Sequence, residues 1–422
     1  MTMRLPGSKL LVPRRRFLWL SASTGLAIIA SSCNSQSPSQ TTLDPKTASW
    51  DEILAAAKGT TVNWAMWGGS DNINKFADQW VAEQLKRYGV VLNRIPLNDT
   101  VEAVNKVVGE VQAGKTQGGS IDLIWINGEN FRTMKQGNLL FGPFADKLPA
   151  MQHYDLGNPA VISDFGLPID GYEAPYTGSY YLMAMNSAKV EQPPQTFPDL
   201  LAWAKSNPGR FAYVAPPEFD GSRFLLTALY GTTGGYAQYA GAAFQENLWN
   251  QNSPKVFEYL KALEPYLWRS GETYPPTQTR LQELFANGEI WMMPAFVSSV
   301  AEGLAQGQLP KTTKAFALPG ISLNDPSFTA IPANANNPAG AMILANILSS
   351  PEGQLQKFKP QVWGDPPLLD LQKVPAALQQ EFTQVEAIYG VPLRELISQT
   401  VPVINAEYTT RLEKEWEAQI AV

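Results

Sequence analysis

Residues 121–132 read Ile-Asp-Leu-Ile-Trp-Ile-Asn-Gly-Glu-Asn-Phe-Arg. The apolar run Leu123–Ile126 predicts a strand, and the abrupt change to polar residues predicts a tight turn before a helix that begins near Phe131. In an open α/β sheet, ligands bind outside the carboxyl ends of the strands, where backbone N–H groups are unpaired. The turn therefore supplies candidate ligand contacts, although an asparagine in such a turn can also serve only as a helix cap. These candidates are Asn127, Gly128, Glu129 and Asn130.

A similar turn follows an earlier predicted strand, residues 61–66. Helices are predicted at 72–88 and 101–113 and a further strand at 90–97, so the segment reads β-α-β-α-β. Strands alternating with helices at this spacing predict a parallel sheet with helices on both faces. Both turns should then meet at one edge of the sheet, where a binding site is expected. The first turn adds the candidates Trp67, Gly68, Gly69 and Asp71.

The same logic is repeated later in the chain. An extended segment, residues 171–190, is expected to carry the chain into a second domain. There the predicted strand 211–214 is followed by a polar turn, residues 216–223, that leads into a helix through Tyr230. This turn supplies the candidates Phe219, Gly221, Ser222 and Arg223.

The first 32 residues contain five basic residues and no acidic residue, followed by an apolar stretch too short for a good membrane span. They are predicted to be an export signal. The run Arg14–Leu18 resembles a twin-arginine signal, although general secretory signals also carry arginines. Cys33 follows small residues and precedes a polar segment, which resembles a lipoprotein lipidation site with a tether at 33–48. We therefore expect a protein lipid-anchored to a membrane, facing the periplasm or the cell surface.

Composition limits the classes of protein and of binding partner that remain open. Cys33 is the only cysteine in 422 residues, so no disulfide can form within the chain. The net charge of −6 includes the basic signal, so the exported body is more acidic still, which disfavours nucleic acid as a partner. Hydrophobic residues make up 44% and charged residues 17%, the balance of a globular protein. We expect a monomer that binds a small solute.

One motif is set aside. Residues 109–116 fit the pattern of a phosphate-binding P-loop, Gly-x-x-x-x-Gly-Lys-Thr. A P-loop needs a buried strand before it and a helix after it, whereas residues 101–113 have helical apolar spacing. Gly114 is interpreted as the cap of that helix.

Catalysis and metal binding find little support. The chain has one histidine, His153, and no Gly-x-Ser-x-Gly elbow, so a Ser-His-Asp triad would depend on that residue alone. One histidine and one cysteine exclude a His/Cys metal cluster. A ferric site using Tyr180 and Tyr181 stays open, but adjacent residues of a strand point to opposite faces. We predict no cofactor, no metal and no enzymatic activity.

Three segments together resemble a known family: residues 118–132, Ile331–Asn336 and Val362–Pro366. They look like the YnjB-type solute-binding proteins of ABC transporters, and the order and spacing of the chain from Trp50 to Trp416 are similar. This resemblance implies the type II periplasmic-binding-protein fold, with two α/β lobes, each a mainly parallel sheet flanked by helices. It implies ABC transporter permease subunits as partners, and transporters of this kind are commonly labelled thiamine importers.

The resemblance also implies three segments that cross between the lobes, near Tyr172–Leu182, Phe328–Ala333 and Val362–Leu369. Lobe 1 is then expected at 49–175 plus 334–362, and lobe 2 at 176–333 plus 363–422. Residues close to the crossings complete the candidate site: Tyr176, Trp363 and Asp365.

Three functions remain open: a solute receptor, a carboxylate-dependent hydrolase or lyase, and a structural envelope lipoprotein. The receptor is favoured by the resemblance and by the convergent turns. Aromatic and acidic residues in these turns suit a cationic heteroaromatic solute such as thiamine. Arg223 argues instead for a carboxylate or phosphate on the solute. Sugars, polyamines, phosphorylated solutes and ferric iron are the alternatives.

Overall fold

A computed structural model describes residue 44 and residues 47–389 and 392–421. The predicted export signal, Cys33 and most of the tether lie outside the described residues. No helix in the described ranges is both long enough and apolar enough to cross a bilayer.

Twelve strands are present in the described residues. They are β1 Thr61–Trp67, β2 Val91–Leu97, β3 Leu123–Ile126, β4 Ser163–Asp164, β5 Leu167–Pro168, β6 Glu173–Thr177, β7 Tyr180–Asn186, β8 Met292–Phe296, β9 Thr313–Phe316, β10 Leu323–Asn324, β11 Ser327–Ala330 and β12 Val401–Pro402.

Sixteen α-helices are described, and a π-helical turn, Phe76–Val81, joins the second of them to the third. The helices are α1 Trp50–Ala57, α2 Asp71–Lys75, α3 Ala82–Arg87, α4 Thr100–Gln112, α5 Gly128–Gln136, α6 Pro159–Ile162, α7 Phe197–Ser206, α8 Phe219–Thr233, α9 Glu246–Leu263, α10 Gln278–Ala286, α11 Val297–Ala305, α12 Pro338–Ser349, α13 Pro351–Phe358, α14 Ala376–Ile388, α15 Leu393–Ser398 and α16 Ala406–Gln419. Short 3-10 helices lie at Ala145–Lys147, Pro149–His153, Tyr236–Tyr239, Glu264–Tyr266, Trp268–Gly271 and Leu371–Lys373.

The first sheet has the strand order β2-β1-β3-β11-β6. Strands β1, β2 and β3 are parallel, as the β-α-β-α-β pattern predicts. Strand β11 is antiparallel to both of its neighbours, β3 and β6. The carboxyl ends of β1, β2, β3 and β6 therefore share one edge with the amino end of β11.

The second sheet has the order β12-β10-β7-β8, and β9 also pairs with β7. The sheet differs from the expected mainly parallel arrangement, because β7 is antiparallel to β8, β9 and β10. Strand β7 runs away from the first sheet, whereas β10 must run back towards it before the chain enters β11. The predicted strand 211–214 forms only an isolated bridge between Phe211 and Met292.

Three segments connect the two sheets. Gly178 and Ser179 join β6 to β7, and residues 325–326 join β10 to β11. In the third, Trp363 packs in the core around the first sheet, whereas Leu368 packs in a core of the second. We call each sheet with its packed helices a lobe.

Two boundaries of the expected lobes differ from the hydrogen bonding. Strand β11 pairs with β3 and β6, so residues 327–330 belong to the first sheet rather than to lobe 2. The same holds for Tyr176 and Thr177 at the end of β6. The physical reason is that the crossings occur at 178–179 and 325–326, at the points where the strands end. The other lobe ranges stay predictions.

The first lobe is built around a helix that is apolar on every side. Ten residues of α12 are buried, and the helix packs against β1, β3 and β6. A helix without a polar face is expected only inside a core. This packing leaves the edge that carries the strand ends as the part of the sheet free to meet the second lobe.

Candidate functional site

The strand ends of the two sheets lie next to each other where the crossings join the lobes. Only two residues, Gly178 and Ser179, separate the end of β6 from the start of β7, so the two edges must be adjacent. Tyr181 of β7 pairs with Phe296, the last residue of β8, which places the start of α11 at the same edge. We define the cleft as the space between these edges, faced by the amino ends of α2, α5, α8 and α11.

The predicted turn after β1 lies at the cleft. Trp67 is 40% exposed, which is unusual for a tryptophan at a strand end. The loop behind it is fixed because the Nδ2 of Asn74 donates to the carbonyl of Gly68 at 2.9 Å. Gly69 lies directly under the indole, where a Cβ would be 2.2 Å from the ring of Trp67. Asp71 is exposed in the first turn of α2.

The turn after β3 also lies at the cleft, but α5 begins at Gly128 rather than near Phe131. Gly128 has φ of +59°, and a Cβ there would be 2.6 Å from the ring of Phe165, so only glycine fits. Asn127 precedes the helix without capping it through its side chain. Asn130 is partly buried beside it in the first turn. Helix α5 therefore presents backbone N–H groups to the cleft.

A hairpin formed by β4 and β5 fills one end of the cleft. Its Asp164 accepts a hydrogen bond from the backbone N–H of Gly128 at 2.6 Å. Its Phe165 lies over the guanidinium of Arg223, with 5.1 Å from Cζ to the ring centroid. Sequence reasoning did not identify this hairpin. The only local signal was the Asp-Phe-Gly run at 164–166, a turn composition found in many loops.

Arg223 is the central cation on the second-lobe side. Its Nε forms a buried ion pair with Asp325, which lies in the crossing between β10 and β11. The guanidinium also lies over the ring of Phe219, 4.2 Å from the centroid. Phe219 is 47% exposed and stacks on Phe296 with centroids 5.7 Å apart. Helix α8 thus brings an exposed ring and a guanidinium to the cleft together.

The other two candidates on α8 have different surroundings. Gly221 is buried against the preceding segment, because a Cβ would be 2.5 Å from the carbonyl of Val214. Its small size allows the helix to pack closely, and it does not approach the cleft opening. Ser222 donates to the carboxylate of Glu413 on α16 at 2.5 Å.

Acidic residues from both lobes surround the cleft. Glu129 of α5 accepts a hydrogen bond from Thr410 of α16 at 3.0 Å. Burial raises the pKa of Glu413, and the charge of Glu129 acts in the same direction, against the hydrogen bond from Ser222 and the charge of Arg223. Burial also raises the pKa of Glu218, at the amino end of α8. A cation placed between neighbouring carboxylates relieves the repulsion of their charges.

One further hydrogen bond joins the lobes. The Nδ2 of Asn72, in α2, donates to Glu302, in α11, at 2.8 Å. Burial raises the pKa of Glu302, and the hydrogen bonds from Gln306 and Asn72 oppose that change. Sequence reasoning did not identify this pair, because its residues lie 230 positions apart.

The three candidates near the crossings are buried. Tyr176 and Trp363 pack edge to face, with centroids 5.6 Å apart, inside the core of the first lobe. Asp365 accepts hydrogen bonds from the backbone N–H groups of Gly178 and Ser179, both at 3.2 Å. The structure therefore does not bring these three to the exposed cleft surface, because the crossings run beneath the cleft and are covered by its aromatic core.

The tyrosines considered for iron are separated in the same way. Tyr181 packs in one core of the second lobe and Tyr180 in another, on opposite faces of β7. Burial raises the pKa of Tyr181 well above its usual value, which opposes the phenolate form that binds iron. Among the described residues, no group of three or more His, Cys, Asp or Glu residues could hold a metal ion.

Comparisons with known proteins agree with this architecture. Residues 79–380 match the family described as bacterial extracellular solute-binding protein. The chain is 37% identical to Protein YnjB of Escherichia coli (strain K12) over 373 residues, which cover 87% of this chain and 92% of that protein.

Two solved structures are similar in fold. One is the spermidine/putrescine ABC transporter substrate-binding protein PotD from Streptococcus pneumoniae, with a TM-score of 0.61, 15% identity and coverage of 85% of this chain and 99% of that chain. The other is the maltose-maltodextrin binding protein of Alicyclobacillus acidocaldarius, with a TM-score of 0.62, 15% identity and coverage of 86% and 96%. These likenesses concern the fold alone, and they confirm the predicted type II periplasmic-binding-protein architecture.

Proposed function

Because the chain belongs to the bacterial extracellular solute-binding proteins, we propose that it captures an organic cation in the cleft and delivers it to an ABC importer. Proteins of this family bind small solutes, work with ABC transporter permeases and are receptors rather than enzymes. A heteroaromatic cation of the thiamine type is the solute that we favour.

The acidic rim of the cleft carries this proposal. Glu129 lies close enough to Glu413 for its charge to raise the pKa of Glu413, and Glu218 and Glu302, at the amino end of α8 and in α11, are half-buried. A solute cation would relieve this repulsion, and each charge-assisted hydrogen bond contributes about 1.5–3 kcal/mol.

Exposed rings favour an aromatic cation over an aliphatic one. Trp67 of the first lobe and Phe219 of the second are 40% and 47% exposed, so each offers ring surface to a solute. Stacking or cation-π contact with each contributes about 0.5–2 kcal/mol. An aliphatic polyamine, the solute named for the pneumococcal protein of similar fold, would use the acids and gain less from the rings. A neutral sugar would use the rings and leave the acids without partners.

The remaining expectations complete the proposal. Lipidation of Cys33 would hold the receptor at a membrane surface after export. Export by the twin-arginine route and a monomeric state belong to the same proposal.

Calorimetric titration of the tag-free mature protein tests the ligand. The panel contains thiamine, putrescine, maltose and inorganic phosphate, and thiamine is expected to bind most tightly. Trp67→Ala and Glu129→Gln should each weaken thiamine binding by roughly fivefold or more. The matched controls lie away from the cleft. Tyr88→Ala changes an aromatic with the same exposure of 40%, and Glu83→Gln an exposed glutamate of α3. Micromolar binding of maltose or phosphate with no heat from either cation would refute the cationic ligand.

A further inference from the structure

Arg223 is more deeply buried than its hydrogen bonding explains. Its side chain is 4% exposed, and Nε is paired with Asp325. The two terminal nitrogens, Nη1 and Nη2, make no hydrogen bond to any described residue. Neither is among the fully enclosed polar atoms without a partner, so both keep some accessible surface. Unmade hydrogen bonds of a buried charged group are costly, which indicates that a partner from outside the chain completes them.

Aromatic rings restrict where that partner can lie. Phe219 and Phe165 each lie within cation-π distance of the guanidinium, at 4.2 and 5.1 Å from Cζ. The two rings shield the guanidinium, and Asp325 already occupies its Nε side. The free edge is the terminal fork, whose two nitrogens match the two oxygens of a carboxylate or phosphate.

The surrounding charges leave room for an anion. Four carboxyl groups lie near Arg223: Asp325, Asp164, Asp220 and Glu413. Burial raises the pKa of Asp164 well above its usual value and that of Asp220 to about 8, so burial disfavours the charged form of both groups. Asp325 is the carboxyl group in direct contact with the guanidinium, and although burial raises its pKa, the charge of Arg223 and its hydrogen bond oppose that change.

Two helix ends add donors at the same edge. Helices α5 and α11, nine residues each, begin at the cleft without a cap from the side chain of their own N-cap residue, and Asp164 already accepts from the first N–H of α5, that of Gly128. The other first-turn N–H groups and the helix dipoles favour negative charge. They support the unpaired guanidinium fork, which is the main observation.

The cation subsite lies directly beside this fork. Ser222, the neighbour of Arg223, donates to Glu413. Thr410, three residues before Glu413 on α16, donates to Glu129. Residues three apart share a helix face, so the two carboxylates lie near each other, and Glu413 also interacts with the charge of Arg223.

We propose that the terminal fork of Arg223 binds an acid group of the solute, carboxylate or phosphate, while Glu129 and Glu413 bind its cationic part. This deepens the proposed function and depends on it, since it makes the favoured solute one that carries both charges.

Matched pairs of probes separate binding of the acid group from binding of the cationic part. Thiamine and thiamine monophosphate differ by the phosphate, and agmatine and arginine differ by the carboxylate. In calorimetric titrations of the full-length mature protein, at least one acid-bearing probe should bind roughly tenfold or more tightly than its twin. Arg223→Lys keeps the charge opposite Asp325 but loses the fork. The ratio of affinities between the acid-bearing probe and its twin should therefore fall below roughly threefold. The control Arg210→Lys changes a guanidinium that lies over Trp291 in the same lobe, and it should keep the ratio.

Each outcome of these titrations either supports or overturns the proposed subsite. Preference within the thiamine pair alone assigns the subsite to phosphate, and preference within the other pair alone assigns it to carboxylate. If thiamine binds and neither acid-bearing probe binds more tightly than its twin, the proposed role of the Arg223 fork is overturned, whereas the proposed receptor for a cation stands. If inorganic phosphate binds through Arg223 and no cation binds alone, the fork stands and the cationic ligand fails. If the wild-type protein binds no probe more tightly because of its acid group, the proposed subsite is overturned, and no variant is needed. If Arg223→Lys unfolds, Arg223→Met with Asp325→Asn removes both charges for the same comparison.

Discussion

Asp365 joins two of the crossings by hydrogen bonds, and a buried ion pair with Lys357 of α13 holds its carboxylate, so removal of that pair should be costly. Lys357 is fully buried, and its Nζ lies 3.9 Å from Asp365 and 4.2 Å from the ring centroid of Tyr176. Burial lowers the pKa of Lys357 and raises that of Asp365, and the charge of each partner opposes these changes. Asp365 in turn accepts from the N–H groups of Gly178 and Ser179.

Lys357→Met keeps an unbranched side chain and leaves the carboxylate of Asp365 without its cation. Removing one partner of a buried pair costs about 3–5 kcal/mol. Unfolding entropy of about 2.1 cal/mol/K per residue over roughly 370 residues is about 0.8 kcal/mol/K, so Tm should fall by about 4–6 °C.

Differential scanning calorimetry of three variants checks the cause. The double variant Lys357→Met with Asp365→Asn removes both charges and keeps an acceptor for the crossing, so most of the lost stability should return. Lys359→Met, a partly exposed neighbour, should change Tm little. Equal losses of Tm in the single and double variants would refute the role of charge and assign the effect to packing.

Four further predictions concern single positions. Burial raises the pKa of Asp220 to about 8, whereas an unfolded carboxyl titrates near 4. Stability should therefore fall between about pH 4 and 8, and Asp220→Asn should flatten that slope in Tm. Asn72→Ala removes the bond to Glu302 and should shift the closed-to-open ratio by roughly 2- to 12-fold, seen as a larger radius of gyration without solute. Cys33→Ala should release the protein from membranes, and continued sedimentation with them would contradict lipidation. Lys115→Ala should leave solute binding intact, and ATP affinity lost in this variant would contradict the rejection of the P-loop.

The local elements of the first lobe could be predicted from the sequence because their signals are local. The strand and polar turn at 121–132 have the expected form, and α5 begins only three residues early. The P-loop pattern is likewise resolved by local context. Residues 109–112 are the last turn of α4, and Gly114 has the positive φ of a helix cap.

The features that could not be predicted from the sequence depend on contacts between residues far apart in the chain. Arg223 was identified as a nearby base, but its partner Asp325 lies 102 residues away. Tyr176 and Trp363 were placed at the cleft because crossings are near it, yet their rings fill the core beneath it. The second sheet is antiparallel because the chain must return to the first sheet after β10. No short stretch of sequence encodes that path.

Closure of the two lobes around a solute is the central claim, and small-angle X-ray scattering tests it most directly. A compact chain of this length has a radius of gyration of about 21 Å. The solute-free protein is expected to exceed that value, and saturating thiamine, or the tightest cation in the panel, should lower it towards 21 Å. A solute that binds in calorimetry at a single site but leaves the radius of gyration unchanged would contradict the account.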